Sequence, residues 1–153
     1  MTPDAARRYG LAARRALPVP ERQAASRRLC VRLAATPWFR DAQCIAVYVA
    51  QYDEPQLEAL IALAREHGKR HHEFLSRARD LVCAPVTAFD AQLRRVGMGG
   101  GYYDRWFSQR LHRYGVRRIG IAFDCQRVED IEAQSWDVSL HGVVTETHVY
   151  KGL

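Results

Sequence analysis

The sequence predicts one α/β domain with three layers, in which helices flank a mostly parallel, Rossmann-like open sheet. Two observations support this fold class. Short apolar runs rich in β-branched residues alternate with segments of helical spacing. An arginine-rich stretch with the spacing of two helices precedes the first of these runs. The predicted strands lie near residues 43–50, 81–89, 118–123 and 142–146.

Length and composition narrow the class of protein. At 153 residues the chain is long enough for one domain with a real core. No apolar run approaches the roughly 20 residues that a membrane span needs, and no apolar signal-peptide core begins the chain. We therefore expect a cytoplasmic protein with no membrane partner. The cysteines are scattered without CxxC spacing, which favours buried thiols over a zinc site or disulfides: Cys30, Cys44, Cys83 and Cys125.

The positive charge is concentrated at the N-terminus. Residues 1–33 contain eight arginines and two acidic residues, a net charge of +6 that equals the formal charge of the whole chain. We therefore expect this segment to be the part of the chain that contacts anions. Nucleic acid is one possible partner, and a nucleotide or a polyanionic metabolite is another. A solvated helix surface is the third interpretation, which we favour for most of these arginines.

The N-terminal half contains three predicted helices and one strand. Residues 4–16 suit a first helix, and a second begins at Pro20 and ends by Pro37. Residues 44–50 are typical of a buried parallel strand. A third helix begins at Pro55 and ends at Gly68. The polar residues 69–80 are predicted to form a loop; adjacent histidines there are more typical of a solvated loop than of a metal site.

A glycine-rich loop follows the predicted strand 81–89 and precedes a predicted helix, residues 102–114. Its sequence is Arg-Val-Gly-Met-Gly-Gly-Gly-Tyr-Tyr-Asp-Arg, residues 95–105. Glycine permits close backbone approach, and the amides of such a loop and helix start can surround one anion. It is neither a Walker A loop nor the dinucleotide fingerprint. A flexible turn is the alternative, but it does not account for the aromatic and charged residues beside the glycines.

Phe89 and Asp90, followed by this loop, resemble the signature of the 5-formyltetrahydrofolate cyclo-ligase family, also called methenyltetrahydrofolate synthetases. Two further matches are the element Arg14-Arg15-Ala16-Leu17 and the closing stretch around residues 135–146. The resemblance implies ATP- and Mg²⁺-dependent cyclisation of 5-formyltetrahydrofolate to 5,10-methenyltetrahydrofolate, with release of ADP and phosphate. It implies no covalent catalytic residue.

The resemblance also implies the site residues. Those for ATP are Arg7, Arg14, Arg95, Gly97, Met98, Gly99, Gly100, Gly101, Tyr102 and Tyr103. Those for the reduced folate are Gln51, Glu54, Gln56, Gly99, Gly100, Gly101, Tyr102 and Tyr103. The Mg²⁺ ligands are Asp104 and Asp137. Each carboxylate also has a structural interpretation: Glu54 and Asp104 suit helix starts, and Asp137 suits a turn.

The chain departs from the family pattern at several positions. Pro3 replaces a residue that is often basic, whereas Gln56 and His141 stand where acids are usual. The single domain, residues 1–153, is expected to be shortened between residues 69 and 81, where family members carry a folate-covering segment. These departures leave open a nucleotide-binding member with weak or no activity. A nucleic-acid-binding module is less favoured because it leaves the glycine loop unexplained. The oligomeric state is not indicated.

Overall fold

The computed structural model describes residues 1–71, 79–97, 115–134 and 137–152. No helix in these ranges is both long and apolar enough to cross a membrane. The helices are α1 (Pro3–Ala16), α2 (Val19–Ala34), α3 (Pro37–Asp41) and α4 (Glu58–Glu66). The strands are β1 (Cys44–Ala46), β2 (Arg70–His71), β3 (Leu81–Pro85), β4 (Ala88–Phe89), β5 (Arg95–Val96), β6 (Arg117–Ile121), β7 (Gly142–Val144) and β8 (Val149–Lys151).

Six strands form one sheet in the order β2-β1-β3-β6-β7-β8. All neighbouring pairs are parallel except β7 and β8, so the predicted mostly parallel α/β sheet is confirmed. Strands β4 and β5 form a separate antiparallel hairpin. The strand order reverses between β1 and β3. In open α/β sheets the crevice at such a reversal, beyond the carboxyl ends of the strands, is the usual place for a ligand.

The core lies on both faces of the sheet. Leu81 and Cys83 of β3 belong to the cluster that also contains Leu29, Phe39 and Leu60 from α2, α3 and α4. The alternate residues of β3 belong to a second cluster, because successive side chains of a strand point to opposite faces. That cluster is formed by Val82, Ala84, Val86, Phe89, Leu93, Val116, Leu140 and Val143, among others. The predicted helix 102–114 falls outside the described residues.

The two N-terminal helices are confirmed with boundaries close to the prediction. The Thr2 hydroxyl accepts a hydrogen bond from the Ala5 amide and so caps α1. Pro18 directly precedes α2, which then runs through Ala34. Helix α3 is too short for a periodic pattern and was missed. Its cap is Thr36, whose hydroxyl accepts from the Phe39 amide.

Helix α4 begins at Glu58 rather than at the predicted Pro55. Three further predicted boundaries are wrong because of strand pairing. The first strand ends at Ala46 rather than at residue 50, and Val49 is 81% exposed. The apolar run 81–89 divides because Val86 donates its amide to Ile121, whereas Thr87 donates to Val96 of the hairpin. In the predicted loop 69–80, β2 pairs with β1. Strand propensity describes a fit to a pleated surface, so partners decide where a strand ends.

All four cysteines are free thiols, as predicted. Cys30, Cys44 and Cys83 are buried, and Cys125 is partly buried. Burial raises the pKa of the Cys30 thiol to about 11. The three buried cysteines therefore behave as small apolar side chains of the core.

Helix α1 does not lie on a face of the sheet. It crosses the carboxyl end of β3 and packs on the β4–β5 hairpin, where Ala6 contacts the cluster formed by Ala88 and Val96. Gly10 makes the closest approach, because a Cβ at this position would lie 1.9 Å from the Thr87 carbonyl oxygen. Only a residue without a side chain allows this spacing.

We predict that Gly10→Ala destabilises the protein by about 1–3 kcal/mol, the usual cost of overpacking. The sign of this change in unfolding free energy is informative, because alanine normally stabilises a helix interior relative to glycine. Equilibrium urea unfolding measures the change. The control is Gly97→Ala, where an added Cβ meets nothing within 4 Å. A Gly10→Ala protein as stable as the unmodified one would show that α1 does not lie this close to Thr87.

Candidate active site

Helix α1 contacts the start of the glycine loop directly. The Arg7 Nε donates a 2.8 Å hydrogen bond to the Gly97 carbonyl oxygen, and the same guanidinium pairs with Asp4. Two predicted ATP residues from distant parts of the sequence are therefore adjacent. The rest of the predicted loop, Met98, Gly99, Gly100, Gly101, Tyr102, Tyr103 and Asp104, lies outside the described residues.

Asp90 organises the turn that leads into the loop. Its carboxylate is fully buried and accepts the backbone amides of Gln92, Arg94 and Ile131 at 2.9–3.0 Å, together with Nε of Arg94 at 2.8 Å. A buried carboxylate is stable only when its oxygens are paired in this way. We assigned Asp90 no role from the sequence. An aspartate placed directly after a strand is a signal for such a turn.

Arg95 links the loop to the closing segment of the sequence. Its guanidinium donates a 2.9 Å hydrogen bond to the Val138 carbonyl oxygen, beside Asp137. The exposed Asp137 carboxylate accepts the Gln134 amide at 2.9 Å, which is the turn role given as its alternative. Within the described ranges no group of three or more His, Cys, Asp or Glu side chains could hold a metal. The second predicted ligand, Asp104, is outside those ranges.

Arg14 is buried and forms an ion pair. It is 4% exposed, and its Nε lies 2.9 Å from an Asp53 carboxylate oxygen. The other oxygen of Asp53 lies 3.5 Å from Nε of Arg15. Because Asp53 belongs to the loop after β1, this pair connects α1 to the loop on the other side of the crevice. We did not identify Asp53 from the sequence, which does not reveal which of the eight arginines is buried.

Gln51 and Glu54, two of the predicted folate residues, form a closed turn in the same loop. The Gln51 amide donates to the Glu54 carboxylate at 2.9 Å, and the Glu54 amide donates to the Gln51 carbonyl at 3.0 Å. The Gln56 amide donates to Ser26 of α2 at 3.1 Å. With its nitrogen directed toward Glu58, the Gln56 side chain also donates a hydrogen bond to that carboxylate. The loop is thus held in one shape from both sides.

Gln126 lies in a 3-10 turn at Asp124–Gln126 and holds the end of β3 by hydrogen bonds. Its side chain is fully buried, and both its oxygen and its nitrogen are hydrogen-bonded. The oxygen accepts the Phe123 amide at 2.8 Å, and the nitrogen donates to the carbonyls of Val86 and Thr87 at 2.9 Å. This holds the strand end beneath α1.

Asp124 joins the same turn to the end of the sheet. Burial pushes its pKa up, but hydrogen bonds from Tyr150, Thr147 and Thr145 outweigh burial and hold the pKa below its usual value. The Tyr150 hydroxyl donates at 2.7 Å, and burial together with this carboxylate raises the pKa of Tyr150 to about 12. Asp124 therefore stays ionised at neutral pH.

His141 has a structural contact on its Nδ1, which accepts the Arg118 amide at 2.9 Å. Burial, followed by the charges of Arg118 and Arg117, lowers the pKa of His141 to about 4. The residue stands at the amino end of β7, whereas the features described above gather at the carboxyl ends of the strands. His141 therefore lies at the opposite end of the sheet from the contact between Arg7 and Gly97.

The sequence model of the 5-formyltetrahydrofolate cyclo-ligase family matches this chain over residues 4–72 and 69–146. The chain belongs to this family. Both matched stretches contribute to the site: the first contains Arg7, Arg14 and Asp53, and the second contains the glycine loop and Asp137. The contact between Arg7 and Gly97 joins the two.

Curated members of the family are similar over part of the chain. The 5-formyltetrahydrofolate cyclo-ligase of Escherichia coli K12 is 42% identical over 72 residues, which are 47% of this chain and 39% of that protein. The cyclo-ligase of Haemophilus influenzae is 38% identical over 65 residues, which are 42% of this chain and 34% of that protein. Each alignment thus spans less than half the length of the relative.

Solved structures support the same fold. The 5,10-methenyltetrahydrofolate synthetase from Mycoplasma pneumoniae superimposes with a TM-score of 0.79 at 23% identity, covering 95% of this chain and 99% of that one. The synthetase from Aquifex aeolicus also gives a TM-score of 0.79, at 22% identity, covering 97% of this chain and 92% of that one. At such identities the comparison shows the fold alone.

We predict that Asp53→Ala lowers the free energy of unfolding by about 3–5 kcal/mol, because the buried Arg14 charge loses its partner. Urea unfolding measures the loss. The control is Asp41→Ala, which removes a pair with Arg79 whose side chains are 48% and 64% exposed. Exposed pairs contribute about 1 kcal/mol or less. Equal losses in the two variants would contradict a buried Arg14–Asp53 pair.

His141 predicts a pH dependence of stability. Its pKa is about 4 in the folded protein, against 6.5 for the free side chain. Between these values the unfolded chain binds the proton and the folded chain does not. Stability is therefore lost as pH falls from about 6.5 toward 4. Because the ring is only half-buried, solvent screening keeps the loss below the limit of about 1.4 kcal/mol per pH unit.

The test is urea unfolding of His141→Asn between pH 7 and pH 4. Asparagine keeps an acceptor for the Arg118 amide but does not titrate, so the variant should lose less stability on acidification than the unmodified chain. His148→Asn, which changes a histidine whose side chain is 63% exposed, is the control. Parallel pH profiles for His141→Asn and the unmodified protein would refute the assignment.

Proposed function

We propose that this chain cyclises 5-formyltetrahydrofolate to 5,10-methenyltetrahydrofolate with ATP and Mg²⁺, releasing ADP and phosphate. The observation that carries the proposal is the hydrogen bond from Arg7 to the Gly97 carbonyl. In a member of the cyclo-ligase family, it brings the N-terminal arginine segment against the first glycine of the glycine-rich loop. Neither segment alone makes an anion site as specific as the two together.

The arrangement suits a reaction that needs positioning more than a nucleophile. ATP activates the formyl oxygen, and the neighbouring folate nitrogen then closes the ring. The protein must hold the two reactants together and neutralise the phosphoryl group in transit. Arg7 and Arg95 place positive charge beside the loop from two directions, one on α1 and one on β5. We assign both arginines to the phosphates of ATP.

Arg14 has a different role in this proposal. Its guanidinium is already paired with Asp53, so it holds the loop after β1 against α1. That loop carries Gln51, Glu54 and Gln56, which we assign to the folate. The pair therefore keeps the folate loop at a set distance from the helix that carries Arg7. Both lie at the crevice where the strand order reverses.

Mg²⁺ would be held by Asp104 and Asp137. Carboxylate oxygens together with phosphate oxygens are the ligands that Mg²⁺ prefers. Asp137 fits this role, because it is exposed and its turn hydrogen bond occupies only one of its oxygens. The ion would supply charge neutralisation at the phosphates. We further propose that the protein acts in the cytoplasm.

The experiment is an absorbance assay for 5,10-methenyltetrahydrofolate, with ATP, Mg²⁺ and 5-formyltetrahydrofolate as reactants. The unmodified chain should form product. Arg7→Ala should raise the KM for ATP by about tenfold, the usual effect of losing one charge-assisted contact, and leave the KM for the folate nearly unchanged. The matched control is Arg8→Ala, which removes the same charge from an exposed position on α1 and should change neither constant.

Calorimetry with ATP distinguishes an active enzyme from a protein that only binds nucleotide and from one that binds no ATP. ATP binding without product would favour the alternative of a nucleotide-binding member with no cyclo-ligase activity. Absence of ATP binding would overturn the proposal. Tight binding of a generic duplex at about 0.15 M salt, with unchanged ATP affinity in Arg7→Ala, would favour a nucleic-acid-binding role for the arginine-rich segment.

A further inference from the structure

A second cleft lies at the amino end of the sheet, away from the candidate active site. Its volume is about 430 Å³. Two of its walls come from α3 and from the segment that leads into β3. The side chains that matter are Trp38, Asp41, Arg79, Arg117, His141 and Lys151.

Strand register brings the basic residues of this cleft together. Gly142 of β7 pairs with Ile119 of β6 on one side and with Lys151 of β8 on the other. Arg117 begins β6, and His141 directly precedes β7. Three adjacent strands therefore each place a basic or imidazole side chain at the same end of the sheet. Arg7, Gly97 and the loop after β1, to which we assign ATP and folate contacts, lie at the opposite end of the strands.

The cleft has an excess of positive charge. Arg79 pairs with Asp41 at 3.2 Å. In the part of the chain that the structure describes, no carboxylate pairs with Arg117 or Lys151. Burial, followed by the charges of Arg118 and Arg117, lowers the pKa of His141 at this end. Arg117 and Lys151 are thus two cations at the cleft without a carboxylate partner among the described residues, and an anion bound between them would be attracted by both charges.

The walls of the cleft are held in place by the fold. Gly142 packs against the Trp38 ring so closely that a Cβ there would lie 2.4 Å from a ring carbon. His141 accepts the Arg118 amide at Nδ1, and its carbonyl accepts the Gly152 amide at 3.0 Å. With Nδ1 occupied as an acceptor, the neutral ring carries its proton on Nε2. His141, which lines the cleft, therefore adds an N–H donor to the two cations.

We propose that this cleft binds a small oxyanion, with Arg117 and Lys151 supplying the charge, His141 a neutral N–H donor and Trp38 the rigid wall. Phosphate and carboxylate groups share the required chemistry, since both accept hydrogen bonds from guanidinium and ammonium groups. The cleft requires nothing from the ATP or folate residues. This inference therefore stands independently of the proposed function.

The test follows the Trp38 indole N–H resonance of the ¹⁵N-labelled full chain, assigned by its loss in Trp38→Phe. Inorganic phosphate and glutarate are titrated separately at constant ionic strength. A saturable shift of this resonance is expected with at least one of them, and the tighter ligand identifies the oxyanion class. Arg117→Gln and Lys151→Gln should each weaken binding by about tenfold, the loss of one charge-assisted contact.

The matched control is Arg27→Gln, which removes one positive charge from an exposed position on α2 and should leave the affinity unchanged. Two results would overturn the proposal. One is a shift that fails to saturate with either anion up to the solubility limit. The other is an equal loss of affinity in Arg27→Gln and in the two cleft variants, which would show general charge screening. Lys151→Gln, at an exposed position, keeps the test valid if Arg117→Gln does not fold.

Discussion

The rest of the site depends on the close approach between α1 and the carboxyl end of β3. Because Gly10 has no side chain, the helix backbone can lie against the Thr87 carbonyl. That position brings Arg7 to Gly97 at one end of the helix and Arg14 to Asp53 near the other. One helix thus connects the glycine loop, the end of the central strand and the loop after β1.

The position of α1 is stable because the buried polar side chains beneath it have hydrogen-bond partners. Asp90 and Gln126 are fully buried, and each makes several hydrogen bonds to backbone groups. Asp90 shapes the turn before the glycine loop, and Gln126 holds the strand end that α1 crosses. Buried polar groups with complete hydrogen bonding make the surrounding backbone rigid. The proposed ring closure, which uses no covalent residue, would depend on rigidity of this kind, because positioning would supply the rate.

The arginine-rich N-terminus contains two different surfaces rather than one. On α1, Arg7 and Arg14 face the site and are engaged there. On α2, Arg27 and Arg28 are exposed, which agrees with a solvated helix surface. A second concentration of positive charge lies at the opposite end of the sheet, around Arg117 and Lys151, and involves none of the N-terminal arginines. The net charge of the chain alone would not distinguish these environments.

The sequence by itself determined the α/β class, the N-terminal helical pair and the family, because hydrophobic periodicity and a long contiguous signature are local properties of the chain. Tertiary structure decided which carboxylate pairs with the buried Arg14, where the apolar runs 44–50 and 81–89 stop being strands, and that Arg117 and Lys151 share a cleft. Each of these depends on residues far apart in the sequence. Burial and partner choice arise only when strands and helices pack, so no pattern within a short window contains them.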